Sequence, residues 1–284
     1  MKLGKRIALR YYKTKFRLLG MVSPKEAAKR AFELFCTPYS GKPQRLEPGI
    51  FAKGEKITVK TEGGLILRGW RWQPEKPTGK TILILHGFDS CSYKFEKYIR
   101  PLKKEGYTVL AFDAPGHGLS DGKTINSLQY KKSILAVDKK FGPLYGIMAH
   151  SIGGLAASLA SEKLPRLDKL VLIAPPVEIT RSIDAFSKML SLSKVVKKSL
   201  YKFVVKLGQR PVSYYNAGRA IQQITTPTLW VHDEEDKVCP YDEVKTIQEL
   251  NLPHVSFYIT KGLGHSNIYR EPETVKTIVD FFKK

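Results

Sequence analysis

Hydrophobic positions fall in short blocks along the chain, and the spacing within each block predicts its element. Thr81-Ile82-Leu83-Ile84-Leu85 is a continuous apolar run, the pattern of a strand buried on both faces. Residues 108–112, 144–148, 169–173, 228–231 and 255–259 are similar blocks. Between them, residues 95–104, about 152–163, 241–250 and 273–282 read as helices. Ahead of them, residues 56–61 and 65–72 flank Glu62-Gly63-Gly64, which predicts a β-hairpin. Strand and helix in alternation predict an α/β fold, with a mostly parallel, doubly wound sheet covered by helices on both faces.

Two regions depart from this rhythm. From about Pro175 to Ile224 no strand is expected; Phe186, Met189, Leu190, Val196, Leu200, Phe203, Val204 and Leu207 recur at spacings of three, four or their sums. That period is helical and predicts a helical cap inserted between the sixth and seventh strands. At the other end, Lys2, Arg6, Arg10, Lys13 and Arg17 share one helical stripe within residues 1–22. Ser23-Pro24-Lys25-Glu26 then reads as a capping box with proline at the first helical position, opening a helix to about Cys36. Pro38, Gly41, Pro43, Pro48 and Gly49 punctuate a linker. The expected division is a basic helical extension and linker (1–54), an α/β core (55–174 with 225–284) and a cap (175–224).

Composition narrows the class. At 284 residues, with 42% hydrophobic and 26% charged, the chain can bury a large core without disulfides. Cys36, Cys91 and Cys239 form no CxxC pair, which argues against a disulfide framework or zinc ribbon and fits a reducing compartment. No Asn-x-Ser/Thr sequon occurs. No apolar run approaches the roughly 18 residues that span a bilayer. The start resembles a signal peptide, but Arg10, Lys13, Lys15 and Arg17 break the apolar stretch that should follow. The expectation is a cytoplasmic protein, peripheral at most to the inner membrane surface.

Charge adds one more feature. Lys and Arg number 48 against 26 Asp and Glu, a net +22. Residues 1–22 carry seven basic side chains and no acid. Residues 179–219 carry nine against Asp184 alone. A basic amphipathic helix suits contact with anionic membrane, so residues 1–22 are the candidate for it. No DNA- or RNA-binding module is present and charge alone supplies only non-specific affinity, so no specific nucleic-acid partner is expected.

In a doubly wound sheet, ligands sit beyond the carboxyl ends of the strands. Three such ends carry reactive residues. Ala149-His150-Ser151-Ile152-Gly153-Gly154 joins an expected strand directly to a helix; a serine on so sharp a turn has its hydroxyl pushed clear of the sheet. Asp233-Glu234-Glu235-Asp236 follows a second strand, and Gly262-Leu263-Gly264-His265 follows a third. Serine is a weak nucleophile at neutral pH and needs an imidazole base oriented by a carboxylate. The chain order Ser, Asp, His meets that need.

Over residues 55–284 the sequence resembles the α/β-hydrolase superfamily, in its serine esterase and lipase-like form. His86-Gly87-Phe88 looks like that family's HG turn, and Asp113-Ala114-Pro115-Gly116-His117-Gly118-Leu119-Ser120 like its DxxGxGxS loop. The resemblance implies Ser151 as nucleophile, His265 as base and Asp236 as acid, with an oxyanion hole formed by the N–H groups of Phe88 and Ile152. Ala149 stands where the elbow usually has glycine, and Asp233 where the acid loop usually has glycine, which leaves Asp233 a competitor for the acid role. His86 is expected to order the oxyanion turn. His117 and His150 lack metal-ligand spacing, and Gly79-Lys80-Thr81 precedes a strand where a phosphate loop should follow one. No metal and no cofactor is expected.

The expected activity is hydrolysis of a small-molecule carboxylic ester, apolar or lipid-derived, with His150, Phe186, Met189 and Leu190 as pocket candidates. A thioesterase or cofactor-free lyase could use the same triad. A non-catalytic membrane-surface or binding protein that keeps the fold is the reading from another class.

Overall fold

The computed structural model describes residues 3–42 and 45–284, and of Leu3 and Lys5 the backbone only. Lys2 of the basic stripe and Pro43 of the linker lie outside the described residues. The chain divides into two compact units, one formed by the N-terminal segment to Thr37 with Glu178–Tyr215, the other by Pro38–Val177 with Asn216–Lys284.

The larger unit is built on an eight-stranded sheet: β1 Glu55–Lys60, β2 Ile66–Trp72, β3 Thr81–Leu85, β4 Thr108–Phe112, β5 Gly146–His150, β6 Lys169–Ile173, β7 Thr228–Asp233 and β8 Val255–Thr260. Their order across the sheet is β1-β2-β4-β3-β5-β6-β7-β8. β2 runs antiparallel to β1 and β4, and the remaining neighbours are parallel. The continuous apolar blocks become the central strands: every residue of β5 and β7 is buried, and all but the first of β3, β4 and β6. Edge strand β1 instead alternates, burying Ile57 and Val59 while Lys56, Thr58 and Lys60 face outward. Polar side chains on that edge discourage further strand pairing.

β4 lies to one side of β3 and β5 to the other. The chain therefore reverses its winding at β3, and the crevice at such a switch point is where α/β sheets bind ligands. Helix Ser127–Phe141 in the β4–β5 crossover is an addition to the elements expected from sequence. Its signals are local ones: a capping box between Asn126 and Gln129, and buried Tyr130, Ile134 and Val137. The linker also belongs to this unit. Phe51, on a short helix Gly49–Ala52, packs edge-on against Trp70 and Trp72 at 5.1 and 4.9 Å.

The smaller unit contains helices Leu3–Val22, Pro24–Phe35, Ile179–Met189 and Lys194–Gly208. The hydroxyl of Ser23 accepts from the Glu26 N–H at 3.3 Å, with Pro24 opening the helix. Phe32 meets Phe203 and Phe35 meets Phe186, both edge-on. The expected division placed residues 1–54 and 175–224 apart. The structure instead joins the described residues up to 37 to 178–215, because each segment has an apolar helix face that the other covers. Residues 38–54 and the helix Ala217–Ile221 go with the sheet.

Candidate active site

Ser151 follows β5 directly and precedes helix Ile152–Ser161. Its backbone has φ 54° and ψ −125°, a conformation that costs a non-glycine residue about 1–3 kcal/mol. Hydrogen bonds hold it there: the Ser151 N–H donates to Ile173 O at 2.9 Å and the Leu155 N–H to Ser151 O at 3.1 Å. Ala149, in the place of the usual glycine, is fully buried in β5.

Around this elbow the chain comes very close to itself. A methyl group on Gly87 would lie 2.7 Å from His150 Nδ1 and 3.0 Å from Ser151 Cβ, and one on Gly153 would lie 2.7 Å from His86 O. Only residues without a side chain fit at such distances. The turn after β3, carrying Phe88, is thereby drawn against the helix that Ile152 opens. As the first helical residue, Ile152 has an N–H with no intrahelical acceptor, at the positive end of the helix.

His265 lies just beyond β8, in the short helical turn Gly264–Asn267. Its Nε2 is 3.0 Å from Ser151 Oγ and its Nδ1 is 2.7 Å from Asp236 Oδ2. A carboxylate only accepts, so Nδ1 carries the proton and Nε2 is left to accept from the serine hydroxyl. The other oxygen of Asp236 accepts the N–H groups of Val238 and Cys239 at 2.8 and 2.9 Å. Burial pushes this carboxyl upward, but the bond and charge of His265, with the two backbone donors, outweigh burial and hold it below its ordinary value. His232 steadies the loop, its Nε2–H donating to Cys239 O at 2.7 Å.

Asp233 has a different set of partners. Its Oδ1 accepts the Glu235 N–H at 3.0 Å, and its Oδ2 accepts the Thr260 hydroxyl at 2.7 Å and the Leu263 N–H at 3.0 Å. It ties the end of β7 to the loop that carries His265. Of the two competing acids, Asp236 is the one within hydrogen-bonding distance of the imidazole.

Three further histidines are buried around the turn. His86 Nε2 accepts from the Ala114 N–H at 2.9 Å, so its Nδ1 donates to Gly87 O at 2.7 Å. Burial, followed by the neighbouring His117, holds its pKa down to about 3, and the neutral ring ties the turn after β3 to Ala114. His117 Nε2 accepts from the Asp89 N–H at 3.1 Å while Nδ1 donates to Pro115 O at 2.9 Å. His150, expected as a pocket residue, donates from Nε2 to the backbone carbonyl of His265 at 2.9 Å, and its ring packs 4.8 Å from that of His265 and 4.7 Å from that of Tyr269. Burial keeps it neutral, well below the ordinary histidine range.

The other pocket candidates belong to the helical unit. Phe186 and Leu190 are buried, the former against Phe35, and Met189 is exposed. Two contributors carried no sequence signal. The linker residue Ser40 donates its N–H and hydroxyl to the Asp89 carboxylate at 3.0 and 2.8 Å, and the Tyr130 hydroxyl donates to His86 O at 3.1 Å. Both span long stretches of chain. Among the described residues, no group of three or more His, Cys, Asp or Glu could hold a metal ion.

The arrangement can remove a proton from a serine hydroxyl, deliver it to a leaving group, and offer backbone donors to an oxyanion. A family model described as serine aminopeptidase, S33 matches residues 76–219, just over half of the chain. A serine hydrolase-like protein of Dictyostelium discoideum is 23% identical over 189 residues, 65% of this chain and 51% of that one. A phospholipase of Bacillus subtilis is 24% identical over 135 residues, 43% of this chain and 52% of that one. The match thus spans about half the length of each of these two relatives. An esterase of Pyrococcus furiosus shares the fold, with a TM-score of 0.63 at 24% identity over 85% of this chain and 98% of that one.

Proposed function

The chain belongs to the serine aminopeptidase S33 family of α/β hydrolases, and from that premise we propose that it is a serine hydrolase cleaving a carboxylic ester through an acyl-enzyme on Ser151. The observation that carries this reading is the unbroken hydrogen-bonded chain from Ser151 Oγ through His265 to Asp236, at a serine held with positive φ.

In the proposed cycle, Ser151 Oγ attacks the ester carbonyl carbon while His265 Nε2 takes the hydroxyl proton. Asp236 holds the ring in the required tautomer and stabilises the imidazolium. The N–H groups of Phe88 and Ile152 receive the oxyanion, each such donor being worth roughly 3–4 kcal/mol in the transition state. His265 returns the proton to the departing alcohol. Water then gives a proton to His265 and attacks the acyl carbon, and His265 returns that proton to Ser151 Oγ as the acyl–oxygen bond breaks, releasing the acid and restoring Ser151. The esterase and phospholipase names among its relatives support an apolar or lipid-derived ester.

Hydrolysis of a p-nitrophenyl ester series from acetate to laurate, with fluorophosphonate labelling, tests the reading. Turnover and labelling should both be present, and both should vanish in Ser151→Ala. Labelling without ester turnover would transfer the site to a thioester, amide or lyase reaction. Folded protein with neither would end the catalytic reading in favour of a binding protein.

A further inference from the structure

The helical unit concentrates two properties that are seldom found together. In the sequence it carries 18 Lys and Arg against 4 Asp and Glu, so a net +14 of the chain's +22 sits on about a quarter of its residues. Among the described residues, fifteen large apolar side chains are exposed, and nine of them belong to this same unit. Scattered exposed hydrophobics are ordinary, but a contiguous group marks a contact surface.

On helix Leu3–Val22 the group is contiguous. One face turns inward: Phe16 is buried, Leu9, Tyr12 and Leu19 are half-buried, and Gly20 is so close to the Lys194–Gly208 helix that a methyl group there would lie 2.8 Å from Val196 Cγ2. The opposite face carries Ile7, Tyr11, Leu18, Met21 and Val22, exposed by 55–85%. At 100° per residue these five fall within an arc of about 100°. Arg6, Arg10 and Arg17 line one border of the strip, and Lys15 lines the other; all four are exposed. The Lys15 ammonium sits 5.6 Å from the Tyr11 ring centre.

A solvated face does not call for an apolar strip between its charges that is broken by only one polar residue, Thr14. A nucleic-acid surface would use the arginines but leave Ile7, Leu18, Met21 and Val22 without a role. A second copy of this unit would bring +14 against +14. An anionic bilayer uses both properties, since the strip enters the acyl boundary while the basic borders remain among the headgroups.

We propose that the outer face of helix Leu3–Val22 docks the protein on an anionic membrane surface, with Ile7, Tyr11, Leu18 and Met21 inserted and Arg6, Arg10, Arg17 and Lys15 paired with lipid phosphates. The docking is peripheral. Among the described residues no helix is long and apolar enough to cross a membrane.

Co-sedimentation of the full chain with phosphatidylcholine vesicles, with and without 30% phosphatidylglycerol, tests this. Binding should be at least ~10-fold tighter to the anionic vesicles and should weaken as salt rises from ~0.05 to ~0.5 M. Arg6→Gln, Arg10→Gln and Arg17→Gln together should weaken it by roughly 100-fold, about five-fold per charge. Ile7→Asn, Leu18→Asn and Met21→Asn together should weaken it at least ~10-fold, with an unchanged melting curve because all three side chains are exposed. Leu18→Ser alone, about three-fold weaker, is the second variant should the triple one lose helicity. The proposal fails if wild-type protein ignores anionic vesicles or if the apolar variants bind as well as wild type. It also fails if these variants convert a dimer to a monomer in sedimentation velocity, which would make the strip a self-association face, or if they leave vesicle binding unchanged while a duplex oligonucleotide competes it away.

Discussion

Asp233 and Asp236 stand three residues apart, are both buried, and are both held below the ordinary carboxylate range against the upward push of burial. Their partners separate them. Asp236 accepts from the imidazole of His265, whereas Asp233 accepts from Thr260, Leu263 and Glu235. Asp236→Asn should therefore lower kcat by about 10⁴-fold, because an amide favours the wrong imidazole tautomer, with little change in melting temperature. Asp233→Asn should do the reverse, lowering the melting temperature by several degrees as three donors lose a charged acceptor, while kcat falls by less than ~10-fold. Kinetics and thermal melts on the two variants decide it; equal kinetic effects would mean that Asp233 shares the acid role. His150 makes a related point. Its position beside the serine suggested a pocket wall, yet its ring nitrogen is engaged by the His265 carbonyl, a partner 115 residues away that no local pattern announces.

At the scale of elements, the site depends on how closely the β3 turn and the Ile152–Ser161 helix approach. Gly153 lies where an added methyl would meet the His86 carbonyl at 2.7 Å, and that oxygen belongs to the backbone and cannot swing aside. Gly153→Ala should push the turn from the helix, separate the two candidate oxyanion donors and lower kcat by roughly 10–100-fold. Stopped-flow acylation with a p-nitrophenyl ester reads this directly, and an unchanged acylation rate would show that the donors are not set by this contact. Strand existence was legible from the chain because apolar runs buried on both faces leave a strong signature; Thr81–Leu85, Thr108–Phe112 and Lys169–Ile173 have the expected limits. The strand expected at 144–148 runs instead from Gly146 to His150, since polar His150 continues the ladder opposite Ile173. Helix Ser127–Phe141 joins the expected elements with a capping box that is plain once the boundary is known.

For the whole molecule, buried neutral histidines make stability depend on pH. Burial depresses His86 to about 3 and places His150 well below the ordinary range, with His117 and His232 also lowered. In the unfolded chain these groups titrate near 6.5. Between the folded and unfolded values the unfolded state binds more protons, so their contribution is complete above about pH 6.5 and is lost as pH falls towards the folded values. Each strongly depressed ring should remove about 1.4 kcal/mol per pH unit once well below 6.5. Urea unfolding at pH 5 and pH 7 should show the lower stability at pH 5, and a His86→Gln variant should show a shallower slope. A flat profile would contradict the neutral assignment.

The sequence by itself determined the class of fold, the succession of strands along the chain and the three strand ends that bear Ser151, Asp236 and His265, because burial period and turn chemistry are local properties. It also determined that the chain is basic at both of its helical regions. Tertiary structure alone decided between Asp233 and Asp236 as the partner of His265, that His150 and Ser40 reach across the fold to brace the site, and that residues 3–37 and 178–215 form one unit. It decided, too, which side of helix Leu3–Val22 remains exposed. Each of these depends on which surfaces meet in space, and a periodic pattern gives a helix its faces without saying which of them is covered.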